Sequence, residues 1–174
     1  MIKKTTETLY TQKTDNTSTG NNSAAEFSLI GTGIGSLTLP KYLLSVGKKI
    51  SLKGWGIISG VNGTATTVKV KSGNTIIATN TSNLPTGLTD IRFDFEADID
   101  VKSTGSTGTV ICGGKTLIYS SVGFGTLTAR NFYSALPVEI DTTSDLTIGL
   151  TYQFGTASAS NSILLKDLSV VSYN

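Results

Sequence analysis

The sequence predicts an all-β protein, an antiparallel β-sandwich of jelly-roll type with about eight strands and an extended N-terminal arm. Three observations predict it. Apolar residues recur at every second position in several windows, Thr, Ser and Gly fill more than a third of the 174 residues, and no window carries a helical period. β-branched residues suit a pleated, half-buried surface, and glycine suits the tight turns between strands. A chain of this length holds one domain with a proper core.

The opening segment 1–23, "MIKKTTETLYTQKTDNTSTGNNS", is polar and has almost no apolar pattern. It reads as a weakly ordered arm that orders on a partner, ahead of a sandwich domain over 24–174. From "AEFSLIG" onward the pattern becomes that of strands. "GTGIGS" (31–36) reads as a turn. In "KKISLKGWGIIS" (48–59) Ile50, Leu52, Gly54, Gly56 and Ile58 alternate with polar residues and Trp55, and Trp55 is expected to pack against the sandwich. "TTVKVKSGNTIIATN" reads as a hairpin turning at Ser72-Gly73-Asn74.

The longest alternation is "TDIRFDFEADIDVK" (89–102). Ile91, Phe93, Phe95, Ala97, Ile99 and Val101 fall on one face, and Asp90, Arg92, Asp94, Glu96, Asp98, Asp100 and Lys102 on the other. Carboxylates two residues apart on a strand stand roughly 7 Å apart, too far to share one ion unaided. No glycine turn of the calcium-loop kind interrupts them. The row therefore reads as one solvated strand face, ahead of a metal site or a catalytic acid pair.

Further along, "GTVICGGKTLIYSS" reads as a strand in which Gly113-Gly114 marks a bulge or a close backbone approach. Residues 121–137 form the longest stretch without clean alternation, carrying Phe124, Phe132 and Tyr133 beside Arg130 and Asn131. "DLTIGLTYQF" and "SILLKDLSVVSY" close the chain as strands, the last with a phase shift at Lys166-Asp167.

The chemistry searched for is largely missing. The chain has no histidine, which removes Ser-His-Asp and Cys-His systems and most zinc sites. Cys112 is single, so no intrachain disulfide forms. "CGGKT" lacks the first glycine of a phosphate loop, because Thr109 stands there, and it continues as a strand. Glu26, Glu139, Asp141, Asp145 and Asp167 are the remaining strand or loop acids considered, and none lies beside an aromatic platform. No metal, cofactor or catalytic residue is read. A net charge of +2 argues against nucleic acid, and no apolar run is long enough for a membrane helix. The N-terminus lacks a signal-peptide core, so synthesis in a reducing cytoplasm is expected.

Two segments carry a resemblance. "LTIGLTYQFGTASASNSILLKDLSVVSY" and "GTGIGSLTLPKYLLSVGKKISLKGWGIIS", with "PVEIDTTSDLTI" between them, resemble the closing and opening strands of jelly-roll virion proteins of tailed bacteriophages. The likeness spans about residues 25–173 and is nearest to head fibres of crAss-like phages. It implies a non-enzymatic head fibre or capsid decoration subunit on the outer virion surface, commonly a homotrimer. Such a subunit attaches to other capsid or virion proteins through its arm and displays its sandwich. A collagen-like or coiled-coil shaft is missing, so fibre, flush decoration and tail component all stay open. Lys3, Lys4, Tyr10 and Lys13 are the anchoring candidates, and Phe124, Arg130, Asn131, Phe132 and Tyr133 the candidates for receptor or subunit contact. The alternative is a carbohydrate- or receptor-binding module of a host-contact structure, with Trp55, Tyr119, Phe124, Phe132 and Tyr133 as its aromatics and a host surface glycan as partner.

Overall fold

The computed structural model describes residues 6–16, 23–84, 88–119 and 127–173, which form thirteen strands and no helix. In chain order the strands are β1 (Thr6–Gln12), β2 (Phe27–Ser28), β3 (Gly33–Gly35), β4 (Thr38–Leu39), β5 (Lys49–Gly60), β6 (Ala65–Ser72) and β7 (Thr75–Asn83). There follow β8 (Leu88–Ser103), β9 (Gly108–Tyr119), β10 (Leu127–Tyr133), β11 (Val138–Ile140), β12 (Leu146–Phe154) and β13 (Ser162–Tyr173).

Strand β8 is the longest, and its alternation is the one expected. Ile91, Phe93, Phe95, Ala97, Ile99 and Val101 are each at most 3% exposed. Burying such a row contributes on the order of 10 kcal/mol before the entropy of ordering it is counted. β5 and β9 flank β8, in unbroken register from Lys49↔Asp100 to Ile58↔Ile91 and from Phe93↔Ile118 to Val101↔Val110. β13 lies outside β5, β1 outside β13 and β3 outside β1, while β10 and β11 share the far edge of β9.

This broad sheet rolls over a second layer of β7, β6 and β12, with β2 and β4 on β12. The two inner faces meet. Val68 and Tyr152 from the smaller layer share an interior hollow with Ile58, Phe93, Phe95, Ile118 and Ile163 from the broad one. Pairing nests β5 with β13, β6 with β12, β7 with β10 and β8 with β9, the hairpin-within-hairpin order of a jelly roll. The β5–β8 and β6–β7 ladders tie the nest into one rolled antiparallel sheet. The layers join between β7 and β10 through a single residue pair, Thr79↔Tyr133.

Thirteen strands replace the expected eight, and the surplus comes from short pieces and from regions read as loop. "AEFSLIG" supplies only the two-residue β2. The 121–137 region contains β10, whose inward residues are Arg130 and Phe132. A cation in an inward position hides the period of two. The β6–β7 hairpin turns at Gly73-Asn74 with Ser72↔Thr75 as its last pair and Gly73 at φ +55°, as the turn sequence requires. The phase shift in β13 is a bulge between Leu165 and Asp167.

The arm needs the largest correction. Residues 6–16 are built into the sandwich, since β1 pairs with β13 from Thr6↔Tyr173 to Thr11↔Ser169. Tyr10 is 6% exposed and its hydroxyl donates to the Gly31 carbonyl at 2.6 Å. Beyond β1, side-chain amides carry on what a ladder would do. Gln12 Nε2 donates to the Leu165 carbonyl at 2.6 Å, and Asn16 Oδ1 accepts the Leu165 amide at 2.8 Å. Inward amides look like loop residues in a sequence, yet each satisfies a buried backbone group. The "GTGIGS" turn is also a strand, β3, paired to β1. A Cβ on Gly33 would lie 2.2 Å from the Thr11 carbonyl oxygen, so only glycine permits that approach.

Gly114 is a close approach without a bulge. A Cβ there would stand 2.3 Å from the Glu96 carbonyl oxygen and 2.5 Å from the Phe132 ring, whereas one on Gly113 would meet nothing within 4 Å. Gly114→Ala is expected to lower the unfolding free energy by about 1–3 kcal/mol and Gly113→Ala by less than about 0.5, measured by urea titration.

Glu26 clamps the segment before β2 onto the smaller layer. Its carboxylate pairs with Lys69, takes Lys71 at 3.1 Å and accepts from the Thr151 hydroxyl at 2.9 Å. The hydrogen bond from Lys69, aided by Thr151 and Lys71 against the cost of burial, holds its pKa down at about 2. A depressed carboxyl stabilises the fold above its unfolded value of 4.5 and loses that contribution as pH falls toward 2. Glu26→Gln should therefore lie below the parent in stability at pH 7 and converge with it between pH 4.5 and 2, in thermal melts across that range.

Candidate functional site: the outer face of the broad sheet

The face of β10, β9, β8, β5 and β13 that points away from the core gathers most of the polar and aromatic side chains singled out in the sequence. Its rows follow from the registers. One runs Asn131, Lys115, Glu96, Lys53; the next Tyr133, Gly113, Asp98, Ser51; a third Ala129, Leu117, Asp94, Trp55, Asp167. The expected solvated face of β8 is there, and the acids are answered by lysines of neighbouring strands. Lys115 meets Glu96 at 2.9 Å, and Lys49 meets Asp98 at 3.0 Å and Asp100 at 3.7 Å. Exposed pairs of this kind are each worth about 0–1 kcal/mol. Their main effect is to hold the side chains in place.

Local electrostatics fit these pairs. The hydrogen bond to Asp98 raises the Lys49 ammonium above its usual range. At Asp98 burial pushes the carboxyl up, but the Ser51 hydroxyl and Lys49 outweigh it and the net shift is downward. Asp90 has left the row. It sits at φ 51° beside the bulge at Ile58/Gly60 and exchanges hydrogen bonds with Ser59. Among the described residues, no group of three or more His, Cys, Asp or Glu is placed to hold a metal ion.

Two aromatic clusters stand on this face. In the first, the Arg92 guanidinium lies 4.8 Å from the Trp55 ring centroid and binds Asp94 at 2.7 Å. Tyr119 donates to the other oxygen of Asp94 at 2.7 Å, and that bond raises the phenol pKa. Trp55 is 37% exposed, so its expected place in the core does not hold. Gly54 and Gly56 take the inward positions because the Asp167 and Leu164 carbonyls and the Phe93 ring fill the space a Cβ would need. The tryptophan between them is left outside.

The second cluster is Tyr133, 69% exposed, next to Gly113 in register. Gly113 opens a polar hollow of about 130 Å³ walled by Lys53, Glu96 and Asp98. From strand spacings, Trp55 and Tyr133 lie roughly 19 Å apart across the face.

The contact candidates thus divide. Asn131 and Tyr133 face outward, whereas Arg130 is 8% and Phe132 2% exposed, so neither of the latter is a surface contact. Phe132 stacks on Phe95 with ring centroids 5.6 Å apart. Lys13 is exposed and Tyr10 is core; Lys3, Lys4 and Phe124 lie outside the described residues. The sequence reading gave no site role to Lys53, Lys115 or Gly113, whose places on this face come from the strands beside them.

No family model matches the chain, and no curated protein matches it. Among solved structures, it is similar to the CBM2 module of the evolved Dit of Lactobacillus casei BL23 phage J-1, with 11% identity, a TM-score of 0.43, and 99% of this chain and 98% of that one covered. It is also similar to a legume lectin-like domain from Entamoeba histolytica, with 10% identity, a TM-score of 0.30, and 96% and 88% covered. Scores this low carry no inference about role, which must come from the residues themselves.

The division within β10 is measurable. Phe132→Ala should cost about 3–5 kcal/mol of stability, and Tyr133→Ala less than about 0.5, by equilibrium unfolding.

Proposed function

We propose that the protein is a non-enzymatic bacteriophage virion module that binds an extended surface saccharide on the outer face of its broad sheet. The observation that carries this reading is the arrangement of that face. Trp55 under Arg92 and Tyr133 beside the Gly113 hollow stand roughly 19 Å apart, with ion-paired acids and lysines between them. Sugars present apolar ring faces edged by hydroxyl groups. Aromatic rings serve the first, and fixed carboxylates, ammonium groups and amides serve the second.

Glu96, Asp98 and Asp100 on this face are held by lysines and Asp94 by Arg92, and among the described residues no two acids converge across a cleft as a glycosidase requires. Placement on a phage particle rests on the resemblance of the opening and closing strands to virion proteins. Of the anchoring candidates, Lys3 and Lys4 in the segment before β1 and the exposed Lys13 remain for attachment. Tyr10 is withdrawn, because its ring is buried and its hydroxyl is used within the fold.

A glycan array probed with the parent protein, Trp55→Ala and Tyr133→Ala tests the reading. Binding to a defined oligosaccharide class should weaken about tenfold or more in each variant, with unchanged melting temperature. A parent signal no higher than background, or binding indifferent to both substitutions, would end it.

A further inference from the structure

The seam where β7 meets β10 is closed by side chains rather than by a ladder. Past the single pair Thr79↔Tyr133, Asn80 Nδ2 donates to the Asn131 carbonyl at 2.9 Å. Arg130 donates through Nη1 to the Thr66 hydroxyl at 2.9 Å and to the Ser82 carbonyl at 3.4 Å, and through Nη2 to the Asn83 carbonyl. Its guanidinium therefore stands in for the missing strand pairing, at the cost of placing a cation inside the sandwich. The partners it has are neutral.

Among the described residues, three polar atoms around this seam are buried and make no hydrogen bond of good geometry: Arg130 Nε, Thr116 Oγ1 and Tyr152 Oη, the last beside the Thr66 hydroxyl that Arg130 and the Ser82 carbonyl already share. The residues that carry them are 8%, 5% and 8% exposed, and all three line one hollow of about 10 Å³. None of the residues lining that hollow is acidic. Three such orphans at one place are more than a stable fold leaves unanswered, since each costs about 1–3 kcal/mol unpaired.

We propose that Arg130, Tyr152 and Thr116 form a buried site for a single chloride ion. The site offers an N–H and two hydroxyl groups able to donate together, beside a cation that no carboxylate balances. Its ligand must accept from all three and carry negative charge. The hollow has room for a guest about the size of a water molecule, which favours a monatomic anion over phosphate or sulfate. A water molecule would fit, but it is neutral and leaves the buried charge uncompensated. The site lies between the layers, on the opposite side of the sheet from the saccharide face, and does not depend on that reading.

Two measurements test this. Crystals soaked in sodium bromide should show one anomalous peak within hydrogen-bonding distance of Arg130 Nε, Tyr152 Oη and Thr116 Oγ1. Thermal melts at constant ionic strength should show saturable stabilisation when chloride replaces gluconate, which is too large to enter. Tyr152→Phe and Thr116→Val keep the core volume and remove one donor each, and each should raise the chloride concentration for half-saturation about tenfold. An ordered water at the site with no bromide signal and identical melts in the two salts overturns the proposal. So does a chloride effect that both variants leave unchanged.

Discussion

Everything in this fold depends on the side-chain period of two along β8, held in register by β5 and β9. A slip of one residue would carry six core side chains into water and draw carboxylates into the interior. The register is unbroken through the middle of both ladders, and its shifts fall near the ends, between Ile58 and Gly60 and between Val101 and Ser103. One constraint thus sets both faces. The inward row of β8 builds the core, and the outward row places acids at fixed spacing between the lysines of neighbouring strands.

Closure of the roll follows a different rule. Ladders of several residue pairs tie β5, β8, β9 and β13, and β6, β7 and β12, whereas between β7 and β10 a single residue pair is supplemented by Asn80 and Arg130. A side-chain amide and a guanidinium can span a gap that twisted strands leave when two layers meet at an angle. β1 uses the same device at the other end of the sheet. Gln12 and Asn16 hold the chain against β13 after regular pairing has stopped. Polar side chains thus extend the sheet where its ladders end.

The proposed saccharide face is built from groups already fixed to one another. Glu96, Asp98 and Asp100 are paired with lysines, Tyr119 is committed to Asp94, and Arg92 is divided between Asp94 and the Trp55 ring. Groups fixed this way have lost their rotamer freedom before any ligand arrives, which lowers the entropy cost of binding. Cys112, the single thiol, is buried and its pKa is raised to about 12, first by burial and then by Asp98 and Asp100, so it stays protonated and inert.

The sequence by itself determined the fold class, the face of β8 that meets the core, the Gly73-Asn74 hairpin and the irregularity near Lys166. Each is a local matter of period or turn chemistry, expressed within a few residues. Tertiary structure alone decided that residues 6–16 join the sheet, that Trp55 turns outward and that Arg130 turns inward. Those outcomes turn on what a distant strand supplies: the Leu165 carbonyl and amide of β13 for Gln12 and Asn16, carbonyls of β13 and the Phe93 ring that crowd Gly54 and Gly56, and carbonyls of β7 for Arg130. A polar residue is legible as core only when its partner is known, and the β13 partners of Gln12 and Asn16 and the β7 partners of Arg130 lie dozens of residues away.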